Sequence, residues 1–571
     1  MTLKRVSSKG IPCPIFLVIF NPLIEKLIEE SQFGYKIGDH QYISTPFADD
    51  FNLITTHKTT HQRLINSIFD WANSMGLKLK PSKCKSVSIV SGRPESVSFT
   101  LGDDSLETLE KEPHKFLGST ITFENKQKDI FQVVFSYFKE RLDRIDELKI
   151  REEFKVRIVQ EYLIPSSRFM LTVHQLTSTN LKKLDALVTK VLKKWLGLPR
   201  CATPAILHVP QLFEMKTISH LYQECHNNAY ISSRLKGDSK VNTVLDSRLQ
   251  RESSWEKKKS SIVESDSQMK NVLNHQNEDE NENQQNTNLK LVKKKVNSNL
   301  KEEMEEHWMS HMRNLIVQGD FISAANAMDG DFNFKSILYE LPRNVLKFLV
   351  NSSIDTLPTN VNLKRWNKRN SSDCQLCGNK ETMLHVLNNC SVMLEQGRYS
   401  WRHDSILNQL YNFLKPKNSD SEFEVYCDLP EKMTGISTVP TDIVISNKKP
   451  DITIVNRNSK DITLIELTIP FHSNIEKAHE RKSQRYEQLI SDITETDFTP
   501  KLFTIEIGST GLINKVNSDK LFAIANITKT TNRLDLKKLM NMFKKTVLTA
   551  SYCIFYSKYE KSWISPELVN M

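Results

Sequence analysis

Two adjacent aspartates near the start of the numbering carry side chains that could bind a divalent cation. Asp49 and Asp50 follow the strand-like residues 42–46 and precede the apolar residues 51–55, which predicts a hairpin with both carboxylates at its turn. Mg²⁺ prefers hard oxygen ligands of this kind. Paired aspartates are also common in solvated turns, so the flanking strands are what favour a metal site over an ordinary surface turn.

Three cysteines and a histidine lie close together in the sequence and have the spacing of a zinc site. They follow the pattern Cys374-x2-Cys377-x7-His385-x4-Cys390, and Gly378 permits a tight turn after the second cysteine. Three thiolates and an imidazole form a closed tetrahedral set for Zn²⁺ that leaves no position open for catalysis. The pattern therefore predicts structural zinc in a small module that contacts nucleic acid.

Basic and aromatic residues flank this Cys/His cluster on both sides. Arg365, Trp366, Lys368 and Arg369 precede it, and residues 398–403 (RYSWRH) follow it. These residue types suit contacts with phosphates and stacked bases. The same aromatic residues are equally suited to packing, so the sequence leaves both interpretations open.

Two carboxylates near the C-terminus could hold a second divalent cation. Asp451 opens one predicted strand, Glu466 lies in the next, and residues 456–461 supply the turn between them. A hairpin of this length brings both carboxylates toward one end of a sheet. There they could bind Mg²⁺.

A lysine in the following predicted helix could complete this site. Lys482 shares one helical stripe with Ala478, Tyr486 and Leu489, which predicts that it faces the sheet. In that position it could orient a water molecule or stabilise the charge of a phosphoryl transition state. The alternative is a surface hairpin followed by a charged helix.

The whole chain allows a large nucleic-acid-binding protein. At 571 residues it should form several domains, because single cores stop growing near about 250–300 residues. The net charge of +10 permits a nucleic-acid partner without requiring one. Nine cysteines in so long a chain indicate reduced thiols and a metal site rather than a disulfide framework. No apolar run approaches the ~18 residues of a membrane span, so we expect no membrane partner.

The texture of the sequence changes several times along the chain. Residues 15–28 and 61–75 predict helices around the Asp-Asp hairpin, and residues 127–235 are helical throughout. Residues 274–288 (NHQNEDENENQQNTN) contain no apolar side chain, which predicts a disordered linker over about 236–300. A strand-rich, mixed α/β segment follows Ser419.

The segment around Asp49-Asp50 resembles the palm of a reverse transcriptase. Residues 71–84 (WANSMGLKLKPSKC) are similar to the helix, Gly-Leu turn and lysine after the catalytic hairpin of that family. Residues 114–118 (HKFLG) resemble its primer-gripping hairpin, and residues 9–16 resemble a degenerate form of the segment before its nucleotide-pocket helix. The resemblance implies that Asp49 and Asp50 are catalytic Mg²⁺ ligands. The family's third carboxylate has no counterpart here, so we expect an N-terminally truncated, incomplete polymerase.

Residues 127–215 would then form the thumb, which packs on the primer–template duplex. Five of its lysines could face phosphates: Lys182, Lys183, Lys190, Lys193 and Lys194. A solvated basic helix face is an equally good interpretation of the same residues.

The order of these segments resembles the C-terminal part of non-LTR retrotransposon proteins that carry a restriction-like endonuclease. Pro450-Asp451 and Glu466 resemble the nuclease signature Pro-Asp…Asp/Glu-x-Lys, with Thr468 in place of the lysine. These families displace that lysine onto the following helix, which implies a catalytic role for Lys482. Asp442 is a further candidate carboxylate for this site.

This resemblance implies a multidomain α+β fold. Its predicted parts are a truncated palm (1–125), a helical thumb (126–235), a disordered linker (236–305), a helical segment with the zinc module (306–418) and an α/β restriction-like endonuclease domain (419–571). It also implies target-primed reverse transcription in the nucleus, with double-stranded target DNA and the element's RNA as partners. The alternative hypothesis is a non-catalytic nucleic-acid-binding remnant or domesticated protein, in which both acidic sites are relics.

Overall fold

The chain forms two compact units. The computed structural model describes residues 3–5, 13–47, 50–109, 114–116, 119–121, 127–235, 237–251, 282–328, 330–331, 333–416, 422–431, 437–528 and 533–567. The first unit comprises Met1–Arg144, Glu161–Leu187 and Thr217–Glu302, and the second comprises Ile145–Gln160, Val188–Lys216 and Glu303–Met571. The Cys/His cluster and the C-terminal carboxylates therefore belong to the same unit.

Helices and paired strands alternate over residues 3–121. The helices are Cys13–Glu29 and Lys58–Ser74, with 3-10 turns at Ser31–Phe33 and Pro81–Lys83. The strands pair as Leu3–Arg5 with Leu77–Leu79, Tyr35–Ile37 with His40–Tyr42, Ser44–Phe47 with Asp50–Leu53, Lys85–Ser86 with Glu107–Thr108, Ser88–Val90 with Arg93–Glu95, Thr100–Leu101 with Asp104–Ser105, and His114–Phe116 with Ser119–Ile121.

The helix Lys58–Ser74 supplies much of the core of this region. Leu64, Ile65, Ile68 and Ala72 are buried on one face of it, and they share a core cluster with Leu23 and Leu27 of the preceding helix. The spacing of these apolar residues is that of an amphipathic helix. The prediction of a helix over residues 61–75 is confirmed.

The prediction that residues 127–235 are mainly helical is also confirmed. The helices are Gln127–Glu147, Glu152–Ile158, Ile164–Ser166, Arg168–Val173, Ser178–Leu196 and Ile218–Leu235, with a π-helical turn at Val159–Leu163 and a 3-10 turn at Pro204–Leu207. Lys193 donates to the carbonyl of Ala202, and Lys194 pairs with Asp146 at 2.7 Å. Lys193 thus supports the fold, whereas Lys182, Lys183 and Lys190 are exposed and keep both predicted interpretations.

The prediction of a disordered linker over 236–305 is wrong where two described helices overlap it, and residues 236 and 252–281 of it lie outside the described residues. Ser239–Arg251 and Glu282–Arg313 are both helical, although their sequence is strongly polar. Val292 and Val296 are buried against Tyr230 and Ile231, with Leu289 partly buried beside them. The three- and four-residue spacing of these apolar side chains gives the second helix a buried stripe, which an average over the composition does not reveal.

The second unit contains the remaining helices. They are Asp320–Ala327, Arg343–Ser352, Asn360–Arg365, Ser391–Glu395, Arg398–Leu414, Ile475–Thr494, Lys515–Ile527 and Arg533–Tyr556, with a π-helical turn at His385–Asn389 and a 3-10 turn at His472–Asn474. The short strands Gly330–Asp331 and Ile513–Asn514 pair with each other. Among the described helices, none combines the length and apolarity needed to cross a membrane.

A four-stranded sheet forms the centre of the C-terminal region. Its strands lie in the order Glu424–Cys427, Ile452–Asn456, Asp461–Thr468 and Thr499–Glu506. The first three are antiparallel neighbours, and the last pairs in parallel. A parallel pair needs a long connection, and the helix Ile475–Thr494, here called the crossover helix, provides it. Its Tyr486 and Leu489 pack on the sheet, as the sequence predicted, and Ile493 packs there as well.

Candidate metal centres

The Asp-Asp hairpin has the predicted pair of strands. Ser44–Phe47 and Asp50–Leu53 are antiparallel, with Phe47 opposite Asp50, and Asn52 donates to the hydroxyl of Thr45 at 3.2 Å. Asp49 and the side chain of Asp50 lie outside the described residues. A Mg²⁺ site at these two aspartates therefore stays a prediction.

The four residues of the Cys/His cluster converge on one point. The Sγ atoms of Cys374, Cys377 and Cys390 and a ring nitrogen of His385 all lie within 4.8 Å of one another. Cys377 Sγ is 3.3 Å from His385 Nε2. A tetrahedral ion with Zn–S near ~2.3 Å and Zn–N near ~2.1 Å separates its ligand atoms by roughly 3.6–3.8 Å. The donor set and its spacing therefore fit Zn²⁺.

Local backbone structure places each of these ligands. Gly378 has φ +80°, in the region that favours glycine, and its N–H donates to Cys374 O at 2.9 Å, which closes the turn between the first two cysteines. The backbone N–H of His385 donates to Thr382 Oγ1 at 3.1 Å at the start of the π-helical turn. The N–H of Cys390 donates to the Tyr399 hydroxyl at 3.1 Å. The cluster is thus held by its own short segment.

The basic residues after the cluster are structural. Arg398 and Arg402 are fully buried: Arg398 donates to the carbonyls of Ser557 and Glu560, and Arg402 donates to Ser551 Oγ at 3.0 Å. The nucleic-acid interpretation of these two arginines is wrong, because both guanidinium groups are buried and most of their N–H donors bond within the fold. Arg365 and Lys368, before the cluster, are exposed and keep that interpretation.

The structure brings the two C-terminal carboxylates together. Ile452 pairs with Ile465 in the sheet, so Asp451 and Glu466 stand next to each other at one end of neighbouring strands. Both residues are buried, at 8% and 2% exposure. Asp451 Oδ2 accepts the N–H of Leu467 at 2.6 Å. The sequence predicted this arrangement.

The crossover helix adds the predicted lysine. Lys482 Nζ forms an ion pair with Glu466 Oε1, and the Tyr486 hydroxyl donates to Glu466 Oε2 at 2.7 Å. Lys482 is mostly buried, with 18% of its side chain exposed. The prediction that Lys482 faces the sheet is confirmed, and its role in catalysis stays a prediction.

The electrostatics of this carboxylate site favour a cation. Burial and the neighbouring Asp451 charge raise the pKa of Glu466, and Lys482 and Tyr486 only partly oppose them. Two carboxylates that share one buried place repel each other when both are ionised. A divalent cation would relieve that repulsion, so the residues present fit Mg²⁺.

A histidine that the sequence did not connect with this site lies against Asp451. His403 Nε2 is 3.3 Å from Asp451 Oδ2 and 3.2 Å from Leu467 O, and its Nδ1 is 3.0 Å from Asp404 Oδ1. Burial lowers its pKa, but the bonds to Asp404 and Asp451 outweigh burial and raise the pKa of His403 to about 10. The only sequence signal was its place among the basic and aromatic residues after the Cys/His cluster.

A third buried carboxylate lies at the same end of the sheet. Glu506 pairs in register with Thr468, is 2% exposed, and accepts from His479 Nδ1 at 2.9 Å. Sequence reasoning missed it, because only the parallel register places it there. Asp442 does not join the site: it is 60% exposed and pairs with Arg457 at 2.7 Å, which corrects its prediction.

Comparisons with known proteins support the resemblance to non-LTR retrotransposon proteins. Residues 11–121 match the family described as reverse transcriptase (RNA-dependent DNA polymerase), and residues 333–396 match the family described as zinc-binding in reverse transcriptase. The chain is similar to the retrovirus-related Pol polyprotein from the type-2 retrotransposable element R2DM of Drosophila melanogaster, with 23% identity over 500 residues, 83% of this chain and 41% of that protein. It is similar to the Pol polyprotein from the type-1 retrotransposable element R2 of Nasonia vitripennis, with 22% identity over 490 residues, 83% of this chain and 42% of that protein.

The chain thus spans about two-fifths of the length of these curated relatives. Both family matches fall on segments that the residues themselves single out: the first contains the Asp-Asp hairpin, and the second contains the Cys/His cluster. Together these matches support a non-LTR retrotransposon Pol-like protein, with one segment similar to reverse transcriptase and one similar to the zinc-binding segment of reverse transcriptases.

Proposed function

We propose that this chain nicks double-stranded DNA with a divalent cation held by Asp451 and Glu466. The observation that carries the proposal is the meeting of two buried carboxylates from neighbouring strands with Lys482 of the crossover helix. Buried carboxylates are costly unless they are paired or bind a metal, so their meeting at one point is typical of a functional site.

Each of these residues has a distinct role in the proposed reaction. Asp451 and Glu466 would hold the cation, which supplies Lewis-acid stabilisation of the phosphate and an activated water when bound. The Leu467 N–H fixes Asp451, and the Tyr486 hydroxyl fixes Glu466. Lys482 can move from Glu466 to a phosphate oxygen and stabilise the negative charge that develops there.

The whole protein would use the nick for target-primed reverse transcription in the nucleus. The nicked DNA would expose a 3′ end that the reverse transcriptase segment extends on the element's RNA, with Asp49 and Asp50 as Mg²⁺ ligands. The family matches and the Pol polyproteins similar to this chain support that proposal. Because those relatives extend well beyond the part that this chain spans, polymerisation is proposed for the whole protein.

One observation favours a second candidate function. The ion pair with Lys482 partly compensates the charge of the buried Glu466 carboxylate. In a non-catalytic nucleic-acid-binding protein that pair would be a permanent part of the fold. The two candidates differ in whether the paired residues are needed for strand cleavage.

A plasmid-nicking assay separates them. Supercoiled plasmid is incubated with the zinc-loaded full chain in Mg²⁺ or in EDTA, alongside Asp451→Ala and Lys482→Ala. We expect Mg²⁺-dependent open circles from the parent and none above background from either variant. Nicking that survives in both variants would overturn the site assignment, and an inactive parent that still binds DNA would favour the binding protein.

A further inference from the structure

We infer that His403 is a positioning residue that fixes the Asp451 carboxylate for cation binding. This inference rests on the proposed function, since it assumes that Asp451 is a metal ligand. His403 lies on the helix Arg398–Leu414, here called the post-zinc helix because it follows Cys390 after one short helix. The helix that follows the Cys/His cluster thereby contributes a residue to the carboxylate site.

The hydrogen bonds of His403 Nε2 have a defined direction. His403 Nε2 faces two oxygen acceptors, Asp451 Oδ2 at 3.3 Å and Leu467 O at 3.2 Å. A nitrogen that faces only acceptors must carry the proton. His403 therefore donates to Asp451, and the contact with Leu467 O, on the strand that carries Glu466, fixes the direction of the ring.

The two oxygens of the Asp451 carboxylate differ in their hydrogen bonds. Asp451 Oδ2 accepts from both His403 Nε2 and the Leu467 N–H, the latter at 2.6 Å. In the described part of the chain, no group donates to Asp451 Oδ1. Two donors on one oxygen hold the carboxylate plane and leave the other oxygen for a cation.

Hydrogen bonds around the start of the post-zinc helix hold His403 in place. Asn388 Nδ2, in the π-helical turn that begins at His385, donates to Ile469 O at 2.8 Å. Arg402, next to His403, is 3.5 Å from the same carbonyl. The Tyr399 hydroxyl bonds with the N–H of Cys390 and with Val386 O at 2.9 Å. The first turns of the post-zinc helix are thus bonded both to Cys390 of the Cys/His cluster and to Ile469, which directly follows the strand that carries Glu466.

Two amide variants separate positioning from packing. His403→Gln keeps an N–H donor near the place of Nε2, whereas His403→Asn carries the same amide one methylene shorter and cannot reach Asp451. His208→Gln is the control, because His208 is a buried histidine that bonds the carbonyl of Met215 instead of Asp451. Variants that act only through lost ring packing would behave alike.

The readout is Mn²⁺ binding by the zinc-loaded full chain, measured from the electron paramagnetic resonance signal of free Mn²⁺. Loss of a residue that orients a metal ligand weakens metal binding by about 10–100-fold. We therefore expect His403→Asn to weaken Mn²⁺ binding by about tenfold, with His403→Gln and His208→Gln within about twofold of the parent. Should His403→Asn not fold, His403→Met replaces it, since it fills the space without a donor.

The outcomes distinguish this inference from the proposed function. Mn²⁺ binding as tight in His403→Asn as in the parent, while Asp451→Asn lowers the amount of Mn²⁺ bound, would overturn the role of His403 and leave the nuclease site standing. A parent that binds no more Mn²⁺ than Asp451→Asn would overturn the proposed metal site itself. Equal weakening in the Gln and Asn variants would assign His403 to packing alone.

Discussion

The Cys/His cluster and the carboxylate site are two candidate metal centres of opposite construction within one unit. The first takes all four candidate ligands, three thiols and an imidazole, from one short segment. The second takes its groups from two strands and the crossover helix, and it places two buried carboxylates side by side. A closed local site stabilises the fold, whereas an open tertiary site depends on the fold and costs stability until a cation binds.

Breaking the Cys/His cluster should have the largest effect on stability. Cys390→Ser removes one thiolate, so we expect loss of zinc and a fall in the free energy of unfolding of at least about 3 kcal/mol, because zinc binding is coupled to folding. Zinc content by mass spectrometry and a thermal melt measure it. Cys201→Ser, at an exposed free cysteine, is the control and should melt like the parent.

Breaking the carboxylate site should have the opposite profile. Glu466→Gln keeps one oxygen that can accept from Lys482 and gains an amide N–H that can donate to the Tyr486 hydroxyl, but it removes the like charge beside Asp451. We expect nicking to fall by at least about a hundredfold, since a metal ligand contributes several kcal/mol, while stability stays within about 1 kcal/mol of the parent. A loss of stability as large as that of Cys390→Ser would make this site structural and erase the contrast.

The pH dependence of stability should report the repulsion between the buried carboxylates of Glu466 and Asp451. Burial and the Asp451 charge raise the pKa of Glu466, so the folded protein holds this proton more tightly than the unfolded chain does. Without Mg²⁺, the free energy of unfolding should therefore fall as pH rises from the ordinary glutamate pKa through the raised one. Chemical denaturation across that range measures it. Glu466→Gln should remove this part of the decline, and an unchanged slope would contradict the buried repulsion.

The smallest effects should come from the exposed side of the crossover helix. Lys477, Arg481 and Arg485 are exposed and recur every four residues, so they form one basic stripe on the helix that carries Lys482. Each substitution by alanine should weaken plasmid binding about two- to threefold and reduce the slope of log affinity against log salt by about 1. Fluorescence anisotropy at several salt concentrations measures both, and Lys537→Ala is an exposed control outside this helix.

The contrast also explains how much the sequence could predict. The Cys/His cluster could be predicted in full, because its spacing lies within one segment. Asp451, Glu466 and Lys482 could be predicted from strand and helix periodicity on either side of one turn. His403 could not, because it precedes Asp451 by 48 residues and no periodicity links them. Glu506 depends on the register of a parallel pair, which local patterns do not encode.

Burial produced the remaining differences from the sequence predictions. Arg398 and Arg402 are charged residues that normally stay in solvent, yet the fold buries both and satisfies most of their donors with carbonyls and hydroxyls. The polar residues 274–288 pointed to disorder, but the apolar stripe that follows them packs the helix Glu282–Arg313 on Tyr230 and Ile231. In both cases tertiary contacts outweigh the local composition.

One matched pair of variants gives the most direct test that the carboxylate site cleaves DNA. Asp451→Asn and Asp442→Asn each remove one negative charge. Only Asp451 is buried beside Glu466, whereas Asp442 is exposed and pairs with Arg457. The measurement is the Mg²⁺-dependent rate of nicking of supercoiled plasmid at equal zinc content. We predict at least about a hundredfold loss for Asp451→Asn, as for a lost metal ligand, and an unchanged rate for Asp442→Asn. Equal rates in the two variants would contradict the carboxylate site as the centre of strand cleavage.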